Sequence, residues 1–198
     1  MRRLVLALTF SALAVGPTLA APTTDIAAMP AGTYVLDKKH ASLLARVRHM
    51  GLSHYTMRFD RFDAGFTYDP AAPADAKVTV SVEAASLDVG DSGVEKLFAG
   101  QFLDAKDHPA ITFASTALTV GAGGKGEMTG DMTLRGVTRP VTFDVQFDGY
   151  DSSLIGGRRA GFSAVAVIDR TEFGSTFLAP NLVGKDVELI IEAEFEKK

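Results

Sequence analysis

Four histidines, His40, His49, His54 and His108, and no cysteine make up the whole stock of nitrogen and sulfur ligands in this chain. A structural zinc site usually closes with four Cys or His side chains, so only a carboxylate-assisted site is within reach. His49 and His54 flank an expected turn, a spacing common in loops, and no metal site is expected there. Asp37, His40 and Ser42 are the residue types of an acid, base and nucleophile. They stand too close in sequence to form a triad, and no strained GxSxG turn presents a nucleophile. Catalysis is therefore not expected. Asp37 is read instead as a carboxylate accepting backbone N–H groups at a turn between the first two strands. Arg135 and Arg139 bracket another turn, where they either meet an oxygen of a ligand or stand in solvent. Asp169 and Arg170 are expected to form an ion pair that closes one end of the fold. His49 extends the apolar series Leu43, Ala45 and Val47, as a core histidine bonded to a carbonyl or as a polar contact for a ligand head.

The elements that must position these groups are strands. Nineteen glycines, thirteen phenylalanines and no tryptophan, with many Val/Thr runs, favour a β-rich domain. Arg2 and Arg3, the apolar run Leu4 to Val15 and the small-residue pattern Thr18-Leu19-Ala20 read as a Sec-type signal peptide over residues 1–20, cleaved after Ala20, which implies the periplasm. That run falls short of the roughly 20 residues a spanning helix needs, so stable membrane insertion is not expected. With no cysteine, neither a lipid anchor at the cleavage site nor a disulfide framework is expected. Loss of Arg2 and Arg3 takes the formal charge from −4 to −6, with no basic tract to attract nucleic acid or anionic membrane. A small molecule becomes the expected partner; a homodimer is left open.

Residues 21–31, rich in Ala, Pro and Thr, read as a flexible leader, and residues 32–196 as one domain. Gly32–Leu36 and Ser42–Met50 are predicted as the first two strands, with Arg46 and Arg48 on the wet face of the second. Within Thr56–Tyr68 the apolar parity switches near Asp60-Arg61, which predicts a bulge that helps a sheet curl into a barrel. Lys77–Glu83, Ala110–Leu118, Glu127–Leu134, the alternating run Val141, Phe143, Val145 and Phe147, Arg159–Ile168 and Asp186–Phe195 complete roughly nine strands. Asp91 or Ser92 caps a short helix over Val94–Phe98. The predicted fold is all-β: a single antiparallel barrel with one or two short helices.

The hairpin GDMTLRGVTRPVTF, Gly130 to Phe143, resembles the hallmark of the YceI-like polyisoprenoid-binding proteins, periplasmic lipocalin-like β-barrels. The resemblance extends in order along the chain. YVLDKKHAS carries Asp37, His40 and Ser42, and RHMGLS carries His49 and Gly51. Phe59, Phe62, Gly65, Asp69 and Pro70 follow, then FLDAKDHPAITF with Phe102, Asp104, Pro109 and Phe113, then IDRTEFG and VGKDVEL. One departure lies before Phe102: GVEKLFAGQF lacks the acidic residue, histidine and leucine usual in the family, and a few residues between Leu97 and Phe102 are missing.

The resemblance implies a lipocalin-like barrel holding a long apolar isoprenoid of quinone or polyprenyl phosphate type, with no covalent cofactor. The residues expected to meet that lipid are His49, Phe59, Phe66, Phe102, Phe113, Phe143, Phe147, Phe162 and Phe173. The alternative is an exported interaction protein that docks to a membrane electron-transfer or stress-response partner, suggested by the altered segment before Phe102.

Overall fold

The computed structural model describes residues 21–152 and 158–198; the expected signal peptide lies outside the described residues. The strand segments are β1 (Gly32–His49), β2 (Ser53–Phe59), β3 (Phe62–Tyr68), β4 (Lys77–Glu83), β5 (Leu87–Asp88), β6 (Ala110–Val120), β7 (Lys125–Leu134), β8 (Val137–Asp151), β9 (Arg159–Asp169) and β10 (Val183–Lys197). They form one antiparallel sheet in the order β10-β9-β8-β7-β6-β4-β3-β1-β2-β5, and β1 also pairs with β10. With β2 counted as the continuation of β3, and β5 of β4, this is a closed barrel of eight staves. Closure leaves each stave with a partner on both sides, and inward and outward side chains alternate along it.

Two corners differ from the sequence reading. The turn expected at Asp37 is a bulge inside one continuous strand, where the β1–β10 register shifts between Leu36 and Ala41. Asp37 does accept a backbone N–H, that of Lys39 at 3.0 Å, but it bends a strand rather than ending one. At Asp60-Arg61 the parity switch marks a full break. β1 pairs with β2 through Leu44–His49 and with β3 through Gly32–Val35. Ser86 fills the gap: its carbonyl accepts the Asp60 N–H at 3.0 Å and its hydroxyl the Arg61 N–H at 3.1 Å.

The leader, expected to be flexible, packs across one end of the barrel. Its short turn Ile26–Ala28 is capped by Asp25, and Met29 is almost wholly buried. The Tyr34 hydroxyl donates to the Pro30 carbonyl at 2.7 Å and the Tyr68 hydroxyl to that of Ile26 at 2.8 Å. Burial, reinforced by Tyr150 and Tyr68, pushes the Tyr34 phenol up to about 12. Because this value lies above the ordinary one near 10, the stability tied to a neutral Tyr34 is complete below about pH 10 and lost as pH rises through about 12. Ultraviolet titration should show a late ionisation of Tyr34 coupled to unfolding, alongside that of Tyr68, whose pKa burial also raises, and Tyr34→Phe should remove one of these late steps.

The opposite end is covered by α1 (Ser92–Leu97), whose N-terminal N–H groups at Gly93 and Val94 are accepted by the Asp91 carboxylate. It continues into a π-helical turn, Phe98–Phe102. The family-like hairpin joins β7 to β8 through Arg135 and Gly136, with φ of 53° and 72°, and Leu134 pairs directly with Val137. That is the geometry of a two-residue type I′ turn. Earlier on β7, Gly130 admits the Phe113 ring, since an added Cβ would stand 2.4 Å from Phe113 Cζ and 2.5 Å from the Ala114 carbonyl oxygen. Gly130→Val is expected to cost about 1–3 kcal/mol through overpacking, read as a lowered denaturation midpoint at unchanged slope.

Candidate ligand-binding interior

The buried side chains fall into two clusters, one toward α1 and one toward the leader, with Phe62 and Ile191 packed against both. Each cluster surrounds a cavity. The helix-end cavity has a volume of about 140 Å³ and is walled by the inward positions of the staves, among them Ala45, Met57, Phe59, Phe113, Met132 and Phe143. Phe98, Phe102 and Leu103 roof it. The roof is an aromatic chain in which Tyr55 meets Phe98 at 5.2 Å, Phe98 meets Phe102 at 4.9 Å and Phe102 meets Phe177 at 5.4 Å between ring centroids. The leader-end cavity, about 130 Å³, is bounded by Phe66, Phe162, Ala164 and Phe195 and closed by Ile26 and Met29.

Polar side chains are scarce on these walls: Thr112, Arg170 and Ser175 at the helix end, and Tyr68 at the leader end. Arg170 is the unusual one. It is 4% exposed, and its Nε–H donates to the Gly184 carbonyl at 2.8 Å. Its terminal nitrogens donate to the carbonyls of Ser175, Phe177 and Val183 and to the Ser175 hydroxyl. The guanidinium carbon also lies 5.0 Å from the Phe102 ring centre. Burial lowers the Arg170 pKa, and the nearby Asp169 charge opposes that shift.

The expected Asp169–Arg170 pair does not form. The Asp169 carboxylate turns to Lys185 Nζ at 2.7 Å and accepts the Thr171 N–H at 2.9 Å, and with the Thr171 hydroxyl these hold its pKa down at about 2. Asp169 ends β9 and caps the 3-10 turn Arg170–Phe173, so its carboxylate turns back to Thr171 while Arg170 turns into the interior.

Of the residues expected to meet a ligand, Phe59, Phe102, Phe113 and Phe143 line the helix-end cavity, and Phe66 and Phe162 line the leader-end cavity. Phe147 and Phe173, each 1% exposed, are sealed in the packed walls and border neither space. His49 stands half-buried at the helix-end rim, its ring 6.4 Å from that of Tyr55, and borders neither cavity. Arg135 leans toward the Gln101 carbonyl at 3.5 Å, while Arg139 donates to the carbonyl of Thr138. The sequence reading passed over Met57, Met128, Met132 and Arg170 as wall residues. Strand parity marks Met132, which alternates with Leu134, but nothing local marks Arg170.

Outside the barrel, Asp37, His40 and Glu194 bring ligand-type atoms within 4.8 Å of one another. A cation already occupies that group: Arg159 pairs with Asp37 at 2.9 Å, Glu194 at 3.3 Å and Glu196 at 2.8 Å. The His40 hydrogen bond, the Lys39 N–H and Arg159 together hold the Asp37 carboxyl below its usual range. Ser42 makes no bond to this group among the described contacts, so the three residues do not assemble a triad. A shallow surface depression of about 470 Å³ lies beside Arg61 and Glu83. Its charges neutralise one another in the pairs Arg61–Glu83, Lys38–Asp63 and Arg58–Asp60. The apolar interior is the site best shaped for a ligand, as concave apolar spaces with a few polar groups generally are.

Comparison with known proteins agrees with this architecture. The sequence profile of the YceI-like domain matches residues 34–195. A UPF0312 protein of Pseudomonas putida (strain W619) is 36% identical over 193 residues, covering 96% of this chain and 97% of the relative. The crystal structure of Burkholderia cenocepacia BcnA superposes with a TM-score of 0.73 at 25% identity, over 80% of this chain and 98% of that one. A polyisoprenoid binding domain from Saccharophagus degradans shares the fold at 13% identity, with a TM-score of 0.64 over 83% of this chain and 98% of that one.

Proposed function

Because the chain belongs to the YceI-like family, we propose that its barrel binds a long apolar isoprenoid, of quinone or polyprenyl phosphate type, and carries or stores it in the periplasm. The observation that carries this reading is the pair of almost wholly apolar cavities inside a closed barrel. Each five-carbon unit buried contributes roughly 3–4 kcal/mol gross at about 0.8 per carbon group, offset in part by ordering the chain. The polyisoprenoid binding domain of Saccharophagus degradans, which shares the fold, supports an isoprenoid as the ligand class. All five Arg170 donors are already engaged, so Arg170 shapes the wall; a phosphate head would sit beyond it, toward the rim. Export rests on the signal-like residues 1–20.

The test is native mass spectrometry of delipidated protein mixed with solanesol, a nine-unit prenyl alcohol. A one-to-one complex is expected, and its absence would overturn the proposal.

A second reading, docking to a membrane-associated protein partner, is favoured by one observation: exposed apolar side chains gather at the helix-end rim. Met50 is 53% exposed, Leu52 84%, Leu97 45%, Leu178 41% and Leu182 46%. The Met50 N–H donates to the Leu182 carbonyl, which places those two side by side. A pull-down that recovers a partner equally well from wild type and from Ala164→Phe, whose interior is filled, would favour docking over lipid carriage.

A further inference from the structure

One flank of the barrel lacks a continuous ladder. β1 pairs with β3 from Gly32 to Val35 and with β2 from Leu44 to His49, and residues 36–43 have no register partner on either strand. The facing bank of this gap is the break where β2 ends at Phe59 and β3 begins at Phe62. On its β10 side the same stretch of β1 carries the bulge between Leu36 and Ala41. Widening the gap therefore breaks no ladder hydrogen bond between β1 and its neighbour.

The surface depression beside Arg61 and Glu83 lies over this gap. Leu36, Lys38 and Ala41 border it from one bank, and Arg58, Asp60 and Phe62 from the other. Its floor belongs to the wall of the interior: Leu36 and Phe62 also line the leader-end cavity. Val82, the register partner of Phe62, borders both the depression and the helix-end cavity. Phe62 packs against both buried clusters yet keeps accessible surface. Above it the Lys38–Asp63 ion pair spans the gap at 2.8 Å, its side chains 64% and 63% exposed. An ion pair so open to water contributes little to holding two strands together.

The ends of the barrel are shut more firmly. At the helix end Phe98, Phe102 and Phe177 pack ring against ring. At the leader end Met29 is buried, the Tyr34 and Tyr68 hydroxyls donate to Pro30 and Ile26, and Thr23 and Tyr150 exchange backbone hydrogen bonds of 3.0 and 2.8 Å. Opening either end disrupts several of these contacts together, which is local unfolding of a segment. Opening the flank takes a rotation of Phe62 and the parting of one exposed ion pair, and side-chain rotations are far faster than local unfolding.

We propose that the gap between β1 and the β2–β3 break is a lateral portal through which a prenyl chain enters and leaves the interior, with Phe62 as its plug. The inference rests on the isoprenoid reading above and adds the route of entry.

Because the chain has no cysteine, the portal can be blocked reversibly. Ala41→Cys sets a thiol in the gap, Ala28→Cys one on the leader and Leu97→Cys one on α1, and each is joined to glutathione by a mixed disulfide that dithiothreitol removes. Delipidated protein is mixed with solanesol, and the bound fraction is followed over time by native mass spectrometry. The adduct on Ala41→Cys should slow uptake about tenfold or more, and the adducts on Ala28→Cys and Leu97→Cys less than about threefold. Reduction should restore the wild-type rate. Phe62→Ala should speed uptake and release alike by about tenfold, leaving affinity within about threefold of wild type. Uptake that the Ala41→Cys adduct leaves unchanged, or that an adduct at either end slows more, overturns the portal while the isoprenoid reading stands, since solanesol still binds at equilibrium. Wild type that holds no solanesol at equilibrium overturns both. Should Phe62→Ala fail to fold, the comparison of adducts decides alone, because Ala41→Cys adds one sulfur atom at a partly exposed position.

Discussion

Replacing Arg170 by methionine should lower the stability of the barrel by about 3–5 kcal/mol, the cost typical of removing one partner from a buried charged network. At roughly 2–4 °C per kcal/mol for a domain of this size, the melting temperature should fall by about 10–15 °C. The reason is the pattern of its bonds. Arg170 holds its charge in the interior without a bonded carboxylate, and the dipoles of four carbonyls, those of Ser175, Phe177, Val183 and Gly184, stabilise it. Methionine fills comparable space but leaves those carbonyls without their donor in a dry wall. The loss should be concentrated in residues 175–184, visible as raised hydrogen exchange there before the rest of the barrel opens. Arg170→Lys, with three donors in place of a planar fork, should recover only part of the stability. A loss under about 1 kcal/mol for Arg170→Met would show that water reaches those carbonyls readily.

The second large effect is expected from filling the interior. Voids of about 140 and 130 Å³ cost the empty barrel about 3 kcal/mol each at roughly 24 cal/mol per Å³. The double variant Ala45→Phe, Ala164→Phe places one ring in each cavity, since Ala45 lines the helix-end space and Ala164 the leader-end space. In a packed core such changes overpack and destabilise. Here the delipidated double variant should melt no lower than delipidated wild type, while affinity for solanesol falls by about a hundredfold or more. Ligand should correspondingly raise the melting temperature of wild type and not of the variant. A variant that melts far lower and still binds solanesol would mean that the cavities are not the ligand's space.

Much of this architecture can be read from side-chain alternation. Val141, Phe143 and Phe147 on β8, and Leu189, Ala193 and Phe195 on β10, all turn inward as their parity requires. Asp91 marks the start of α1 by its capping chemistry. What parity does not convey is whether an inward side chain borders space or another side chain. Phe143 and Phe147 share one face of one strand, yet the first lines a cavity and the second is sealed beside Phe162, at 5.3 Å between rings. That distinction depends on volume summed around the barrel, which no single strand encodes. Arg170 escapes for a related reason. Its partners are carbonyls brought near only when the loop after residue 173 folds back, so the adjacent acid in sequence, Asp169, was the natural but wrong partner. The leader misled in the other direction. Its Ala, Pro and Thr suggest a loose segment, whereas Met29, 1% exposed, anchors it through contacts that arise only once Tyr34 and Tyr68 stand beside it.

The central claim is that the interior is a lipid site, and extraction of the protein gently purified from its own cells tests it most directly. Organic extraction followed by mass spectrometry should release a prenyl lipid near one per chain, and the Ala45→Phe, Ala164→Phe variant should release far less. Protein that emerges free of lipid, or that carries a prenyl lipid in equal amount with its interior filled, would contradict the account.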